Sequence, residues 1–234
     1  MLGVLLAAPL AAQANMMVYP MQSNIEADSR SGGQLWAYSR ADQTQYVQVT
    51  VKRVVNPATP QEREEEVKPW EGSGLIPSPT KFALPAGGSR AVRLVPVSTP
   101  TAQTVYRVYV EPVAAPGQED ALAKTTQGKV GVSIIWGAVV HVMPKQAIGQ
   151  LVVDGNALVN TGTVKARLTG IGQCNGSGQD ACSWTDVEQS IYPGMRWPIP
   201  QHLHGKNLRV RYLLPGANTP QEQPALPAGR KAEH

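Results

Sequence analysis

Apolar and polar side chains alternate along much of this chain with a period of two, the spacing of a half-buried strand rather than of an amphipathic helix. Tyr46-Val47-Gln48-Val49-Thr50-Val51 shows it cleanly. Ala91-Val92-Arg93-Leu94-Val95 repeats it after the turn sequence Pro85-Ala86-Gly87-Gly88, and Val105-Tyr106-Arg107-Val108-Tyr109-Val110 is a third such run. A fourth, over residues 129–142, is predicted as a single strand. It would be at least twice the usual length of about five or six residues. Short strands separated by turn signals indicate a β-sandwich and not βαβ units. The acidic run over residues 61–66 is bracketed by Pro60 and Pro69. It reads as a solvated loop or strand edge carrying ordinary surface charge.

The long run stops at Pro144-Lys145-Gln146, where a boundary is expected. A second set of short strands follows at residues 150–153 and 157–159, on either side of the two cysteines, and at Leu208-Arg209-Val210-Arg211-Tyr212. The stretch 215–234, rich in Pro, Ala and Gln, is expected to fray. The predicted fold is all-β: two sandwiches in series, an N-terminal domain over residues 15–144 and a smaller C-terminal domain over 145–234.

Residues 1–14 are set apart from this plan. MLGVLLAAPLAAQA is an apolar run ending in Ala12-Gln13-Ala14, a small-x-small cleavage pattern. It reads as a secretory signal cut before Asn15, too short to span a bilayer. The basic residues expected ahead of such a run are missing, so the natural start is expected upstream of Met1. The mature protein is expected to be exported, with no membrane insertion.

Composition narrows the function. Hydrophobic residues make up 42% of the 234, enough for a real core, and charged residues only 16%. A net charge of +4 is too modest to demand an acidic partner, and no nucleic-acid partner is expected. No Gly-x-Ser-x-Gly elbow, phosphate loop, dinucleotide fingerprint or HExxH helix occurs, so no enzyme and no cofactor is predicted. His202-Leu203-His204 could offer two imidazoles on one face, but no Asp, Glu or Cys stands at ligand spacing, and no metal site is expected. Cys174 and Cys182 are the only two cysteines, separated by Asn-Gly-Ser-Gly-Gln-Asp-Ala, a loop of turn formers. On a hairpin they would face each other. An oxidising compartment would join them, and without export they would stay two free thiols.

The run 129–142 is the unusual element. Val130, Val132, Ile134 and Trp136 share one face by the two-residue period, opposite the small Gly131 and Ser133. Such a row fits either a central strand covered on both sides or an edge strand whose apolar side chains are meant for a partner's sheet.

Several blocks resemble the periplasmic chaperones of chaperone–usher pili, in the alternate branch that serves class 5 fimbriae. They are Asn15-Met16-Met17-Val18-Tyr19-Pro20, Arg53-Val54-Val55-Asn56-Pro57, Lys81-Phe82-Ala83-Leu84-Pro85-Ala86-Gly87, residues 105–111 and residues 130–144. Their order and spacing span nearly the whole mature chain, and the two cysteines match a disulfide of second domains in this branch. The resemblance implies a boomerang of two immunoglobulin-like domains that binds newly secreted pilins. The chaperone would lend its seventh strand to each pilin and pass it to an outer-membrane usher. Carried over by position, the groove-filling residues are Val130, Val132 and Ile134, with Trp136 as an extension.

The resemblance also implies a clamp for the pilin's terminal carboxylate, made in the main branch by two cations on the first and seventh strands. The matching positions here hold Ser23 and Val139, neither of them cationic. Either the alignment slips or the clamp has moved; Arg107 and Arg53 are the replacement candidates. The rival reading, a secreted β-sandwich pilin or adhesin, would normally carry an alternating apolar N-terminal extension. Residues 16–25 lack that alternation and contain Pro20.

Overall fold

The computed structural model describes residues 15–26, 29, 32–117, 134–175 and 182–225. All of its regular elements beyond isolated 3-10 turns are strands. Ten build the first sandwich: β1 (Met16–Tyr19), β2 (Gln22–Ile25), β3 (Gly33–Ser39), β4 (Gln45–Val55), β5 (Arg63–Glu66), β6 (Leu75–Ser78), β7 (Lys81–Leu84), β8 (Ser89–Pro96), β9 (Thr104–Val113) and β10 (Trp136–Val142). One sheet runs β1-β3-β8-β6; the other runs β2-β10-β9-β4-β5, with β7 also on β4. The inward rows meet in one core: Val47, Val49 and Val51 of β4, Val108 and Val110 of β9, and Ala138, Val140 and Val142 of β10 face Leu35, Val92 and Leu94 of the opposite sheet.

Seven strands build the second sandwich: β11 (Leu151–Asp154), β12 (Ala157–Asn160), β13 (Ala166–Cys174), β14 (Cys182–Ile191), β15 (Arg196–Pro198), β16 (Leu208–Leu213) and β17 (Gln221–Pro224). The sheet orders are β11-β12-β15 and β14-β13-β16-β17. Leu158, Leu168, Ile171 and Val210 sit at the centre of this core. Its outer face carries a tight stack: the Arg211 guanidinium lies 3.7 Å from the centre of the Trp184 ring. That ring covers Gly172, where a Cβ would stand 3.0 Å from it, so any larger residue there would push the indole back by a few tenths of an ångström.

Two expectations need correcting. The run does not continue as one strand through residues 134 and 135: among the described residues β10 begins at Trp136, which faces Val110 of β9 as the last rung of the β9–β10 ladder. Ile134 and Ile135 have no strand partner and stand exposed, while residues 129–133 lie outside the described residues. A period of two reports the tendency to extend, but a strand needs a ladder to join. The tail does not simply fray after residue 215 either. Strand β17 pairs with β16 in register Tyr212↔Gln221. It is held by polar contacts that hydrophobic patterning cannot register. Glu222 accepts from the Nε of both Arg209 and Arg211, at 2.8 and 3.0 Å, and the Gln223 amide donates to the Leu151 carbonyl at 2.6 Å. Residues 226–234 and the expected signal, residues 1–14, lie outside the described residues.

The sandwiches meet on a small apolar contact, where Val54, Val105 and Val139 of the first face Tyr192 and Met195 of the second. Beside it the Gln103 amide N–H donates to the Thr163 carbonyl at 2.8 Å.

Candidate functional site

Strand β10 lies between β9, antiparallel, and β2, parallel. Its inward row is Trp136, Ala138, Val140 and Val142; Val139 and His141 point away from that core. Ile134 stands two residues before Trp136 but outside the strand. Val130 and Val132 lie outside the described residues, and Ile134 is 46% exposed. Trp136 is the turning point: half-buried, it packs on the sandwich's own core, and its buried indole Nε1 has no hydrogen-bond partner among the described residues.

The two candidate arginines differ sharply. Arg107 faces Val139 across the β9–β10 ladder, and its guanidinium is taken by β5 and the residue before it, at 3.0 Å from Glu64 and 3.3 Å from Glu62. Glu64 also accepts a 2.7 Å bond from the Tyr109 hydroxyl. Partial burial opposes the Arg107 charge, yet Tyr109 and the two carboxylates outweigh it and hold the guanidinium's pKa above its ordinary value. The acidic run read as ordinary surface charge is therefore the counter-charge of a central strand. Its edge strand is legible in the sequence; its partner is not, because that depends on the β5–β4–β9 order.

Arg53 sits opposite Tyr106 on the β4–β9 ladder, and among the described residues no carboxylate pairs with it. Burial raises the Tyr106 pKa, and the Arg53 charge partly offsets the rise. Both residues line a cavity of about 380 Å³ at the meeting of the sandwiches, together with Gln103, Val142, Tyr192 and Met195. Ser23 and Val139 do not face each other: Ser23 pairs with Val140, and Val139 with Gln22. Neither Arg53 nor Arg107 stands at either position.

Three residues of the joint escaped sequence reading. Gln103 holds the His141 Nδ1 at 2.9 Å through its side-chain nitrogen, while its oxygen accepts the Lys165 backbone N–H at 2.7 Å. His141 stacks on Tyr192, with 6.1 Å between ring centres, and Lys165 lies over the same ring at 5.7 Å. Burial, then the nearby Lys165 charge, pushes the His141 pKa down to about 4. No motif marks these residues, since they come from segments far apart in the chain and in both sandwiches. The cysteines do meet: Cys174 and Cys182 are opposite one another on β13 and β14, with Cα atoms 4.0 Å apart, and form a disulfide. Among the described residues no group of three His, Cys, Asp or Glu could hold a metal ion.

A CS1 fimbrial subunit of Escherichia coli is 35% identical over 199 residues, 81% of this chain and 82% of that protein. A CFA/I fimbrial subunit of the same species is 33% identical over 198 residues, 81% of each. Among solved structures, the class 5 fimbriae chaperone CfaA is 25% identical, with a TM-score of 0.75 over 91% of this chain and all of that one. The chain belongs to the pilus chaperones of the chaperone–usher pathway. A chain of the chaperone–tip adhesin complex of CFA/I fimbriae is similar at 26% identity and a TM-score of 0.74, covering 92% of this chain and all of that one. The CsuC–CsuE chaperone–tip complex of Acinetobacter baumannii shares the fold at 15% identity and a TM-score of 0.51, over 90% of this chain and 98% of that one. No family model matches the chain. This chaperone family is non-enzymatic, and its fold is the all-β pair of sandwiches described above.

Proposed function

We propose that this chaperone binds fimbrial subunits in the periplasm by donor-strand complementation and delivers them to an outer-membrane usher. In this reading residues 1–14 are a signal peptide, 15–144 form the donor domain, and 145–234 form the second domain. The observation that carries it is the inward row of β10, which runs out of its own core at Trp136 and reaches an exposed, unpaired Ile134. Val130, Val132 and Ile134 then continue the row into the open groove of a client, where the backbone ladder supplies affinity and alternate side chains supply fit. The disulfide supports an oxidising compartment. The chaperone–tip adhesin complex among the similar structures supports a pilin-type client.

For the client's terminal carboxylate, Arg53 is the better anchor than Arg107, since Glu62 and Glu64 already neutralise the latter. The competing reading, a pilin that is itself built into the fibre, is favoured by the names of the two E. coli relatives. The likeness to a chaperone over 91% of the chain weighs against it. Co-expression with a pilin encoded beside its gene, followed by co-purification from periplasm, separates the two. A one-to-one complex that shields residues 129–135 from protease is expected. A chain that instead polymerises with the pilin overturns the proposal.

A further inference from the structure

Gln103 is the residue through which the first sandwich grips the second. It stands just ahead of β9, buried, and its backbone N–H donates to the Thr163 carbonyl at 2.8 Å. Its side-chain oxygen accepts the Lys165 backbone N–H at 2.7 Å, so two of its bonds cross the joint. Its side-chain nitrogen lies 2.9 Å from the His141 Nδ1, within its own sandwich. His141 is buried as well and stacks on Tyr192 of the second sandwich. The apolar contact beside them is small, which leaves these polar bonds a large share of the joint.

A carboxamide has one accepting end and one donating end. With the oxygen given to Lys165, the nitrogen needs an unprotonated Nδ1 to donate to. A proton on Nδ1 sets two donors against each other. Turning the amide over satisfies the imidazolium but sets the amide nitrogen against the Lys165 N–H, and the bond across the joint is lost. The surroundings do not compensate an imidazolium. Across the ladders β9 presents Val105 to His141 and β2 presents Asn24. The cavity beside the ring is lined by Gln22, Asn24, Lys165 and Arg167, and by no carboxylate. The Tyr192 ring attracts a cation, but Lys165 already lies over it at 5.7 Å. Glu62, whose charge adds to burial in raising the Tyr192 pKa, is itself paired with Arg107.

We propose that Gln103 is a latch between the two sandwiches and His141 its release, so that a proton on the imidazole frees the joint while both sandwiches stay folded. Burial, then the Lys165 charge, holds the His141 pKa near 4 in the closed joint, and opening returns it to the ordinary 6.5. The proton therefore favours the open form. Between pH 7 and pH 4 the open population, relative to the closed, rises about a hundredfold. A client held by both sandwiches would be loosened in acid only if the donor-strand reading holds, but the latch itself is independent of that reading.

The test is hydrogen exchange on the full chain without any pilin, corrected for intrinsic rates. The Gln103 and Lys165 backbone amides should exchange about tenfold faster, or more, than the core amides of β4 and β13, because the joint opens before either sandwich unfolds. Their protection should fall about a hundredfold between pH 7 and pH 4. His141→Phe keeps a ring on Tyr192 but takes no proton, and should hold the protection of both amides within about threefold over that range. Gln103→Glu offers one oxygen to the Lys165 N–H and the other to a protonated Nδ1. In that variant both amides should gain protection, about threefold or more, as pH falls from about 8 to 5.5. A merely structural residue would not reverse the sign. If Gln103→Glu fails to fold, His141→Phe gives the reading alone. Joint amides that exchange in step with the core, a fall in protection that survives His141→Phe, or the wild-type sign in Gln103→Glu overturns the proposal. A joint that behaves as expected in a chain that captures no pilin at pH 7 leaves this inference standing and sinks the donor-strand reading instead.

Discussion

The Gln103 side chain holds its neighbour His141 at the edge of the joint at 2.9 Å, and the geometry fixes the state of the imidazole. The Gln103 oxygen is committed to the Lys165 backbone N–H, so its nitrogen must donate to His141 Nδ1, which is therefore unprotonated. Protonating that nitrogen would remove the acceptor and place a cation beside Lys165.

A pH dependence of stability follows. The native His141 pKa lies near 4, below the ordinary value of 6.5, so the unfolded chain takes up the proton first as pH falls. This residue costs no stability above about pH 6.5; the cost grows as pH falls to about 4 and levels off below, at about 3 kcal/mol. Chemical denaturation between pH 7 and pH 4 should show that loss, and His141→Gln should flatten the profile. A profile unchanged by the substitution would remove His141 as its source.

Ile134→Asp separates a donor row from a core row. Burying an aliphatic side chain in a client's groove is worth roughly 1.5–3 kcal/mol, and a carboxylate there costs far more than the lost contact. In the free protein Ile134 is already 46% exposed, so the melting temperature should hold. Pull-down with the neighbouring pilin should fail. A variant that unfolds on its own, or one that still captures pilin, contradicts the donor assignment.

The two arginines should part company. Arg107 makes partly exposed ion pairs, so Arg107→Ala should cost about 1 kcal/mol of stability and leave client affinity nearly unchanged. Arg53→Ala should do the reverse: no change in melting, and a loss of roughly 1.5–3 kcal/mol of client binding, about tenfold to a hundredfold. Measuring both quantities for both variants decides the anchor.

Replacing Cys174 and Cys182 by Ala together opens a short loop whose closure stabilises by about 2–3 kcal/mol. The second sandwich should melt earlier, and pilin capture at low temperature should persist. Mass spectrometry of unreduced peptides provides the control, since native protein should show no alkylatable thiol.

Sequence alone determined the strands whose side chains divide between a core and solvent. Alternation in β4, β8, β9 and β16 is a direct imprint of burying one face, and turn residues mark where each ends. It determined the facing cysteines as well, because a short hairpin makes their proximity local. Family resemblance legible in the same residues named the chaperone. What only tertiary structure decided is the chemistry of charge. Arg107 and Arg53 read alike in sequence, yet one forms ion pairs with Glu62 and Glu64 and the other, among the described residues, forms none. The polar β17, the extent of β10, and the meeting of Gln103, His141 and Lys165 likewise depend on which strands become neighbours. Hydrophobic burial writes a periodic signal along the chain. Hydrogen bonds and ion pairs join residues far apart in sequence, and they leave no period to read.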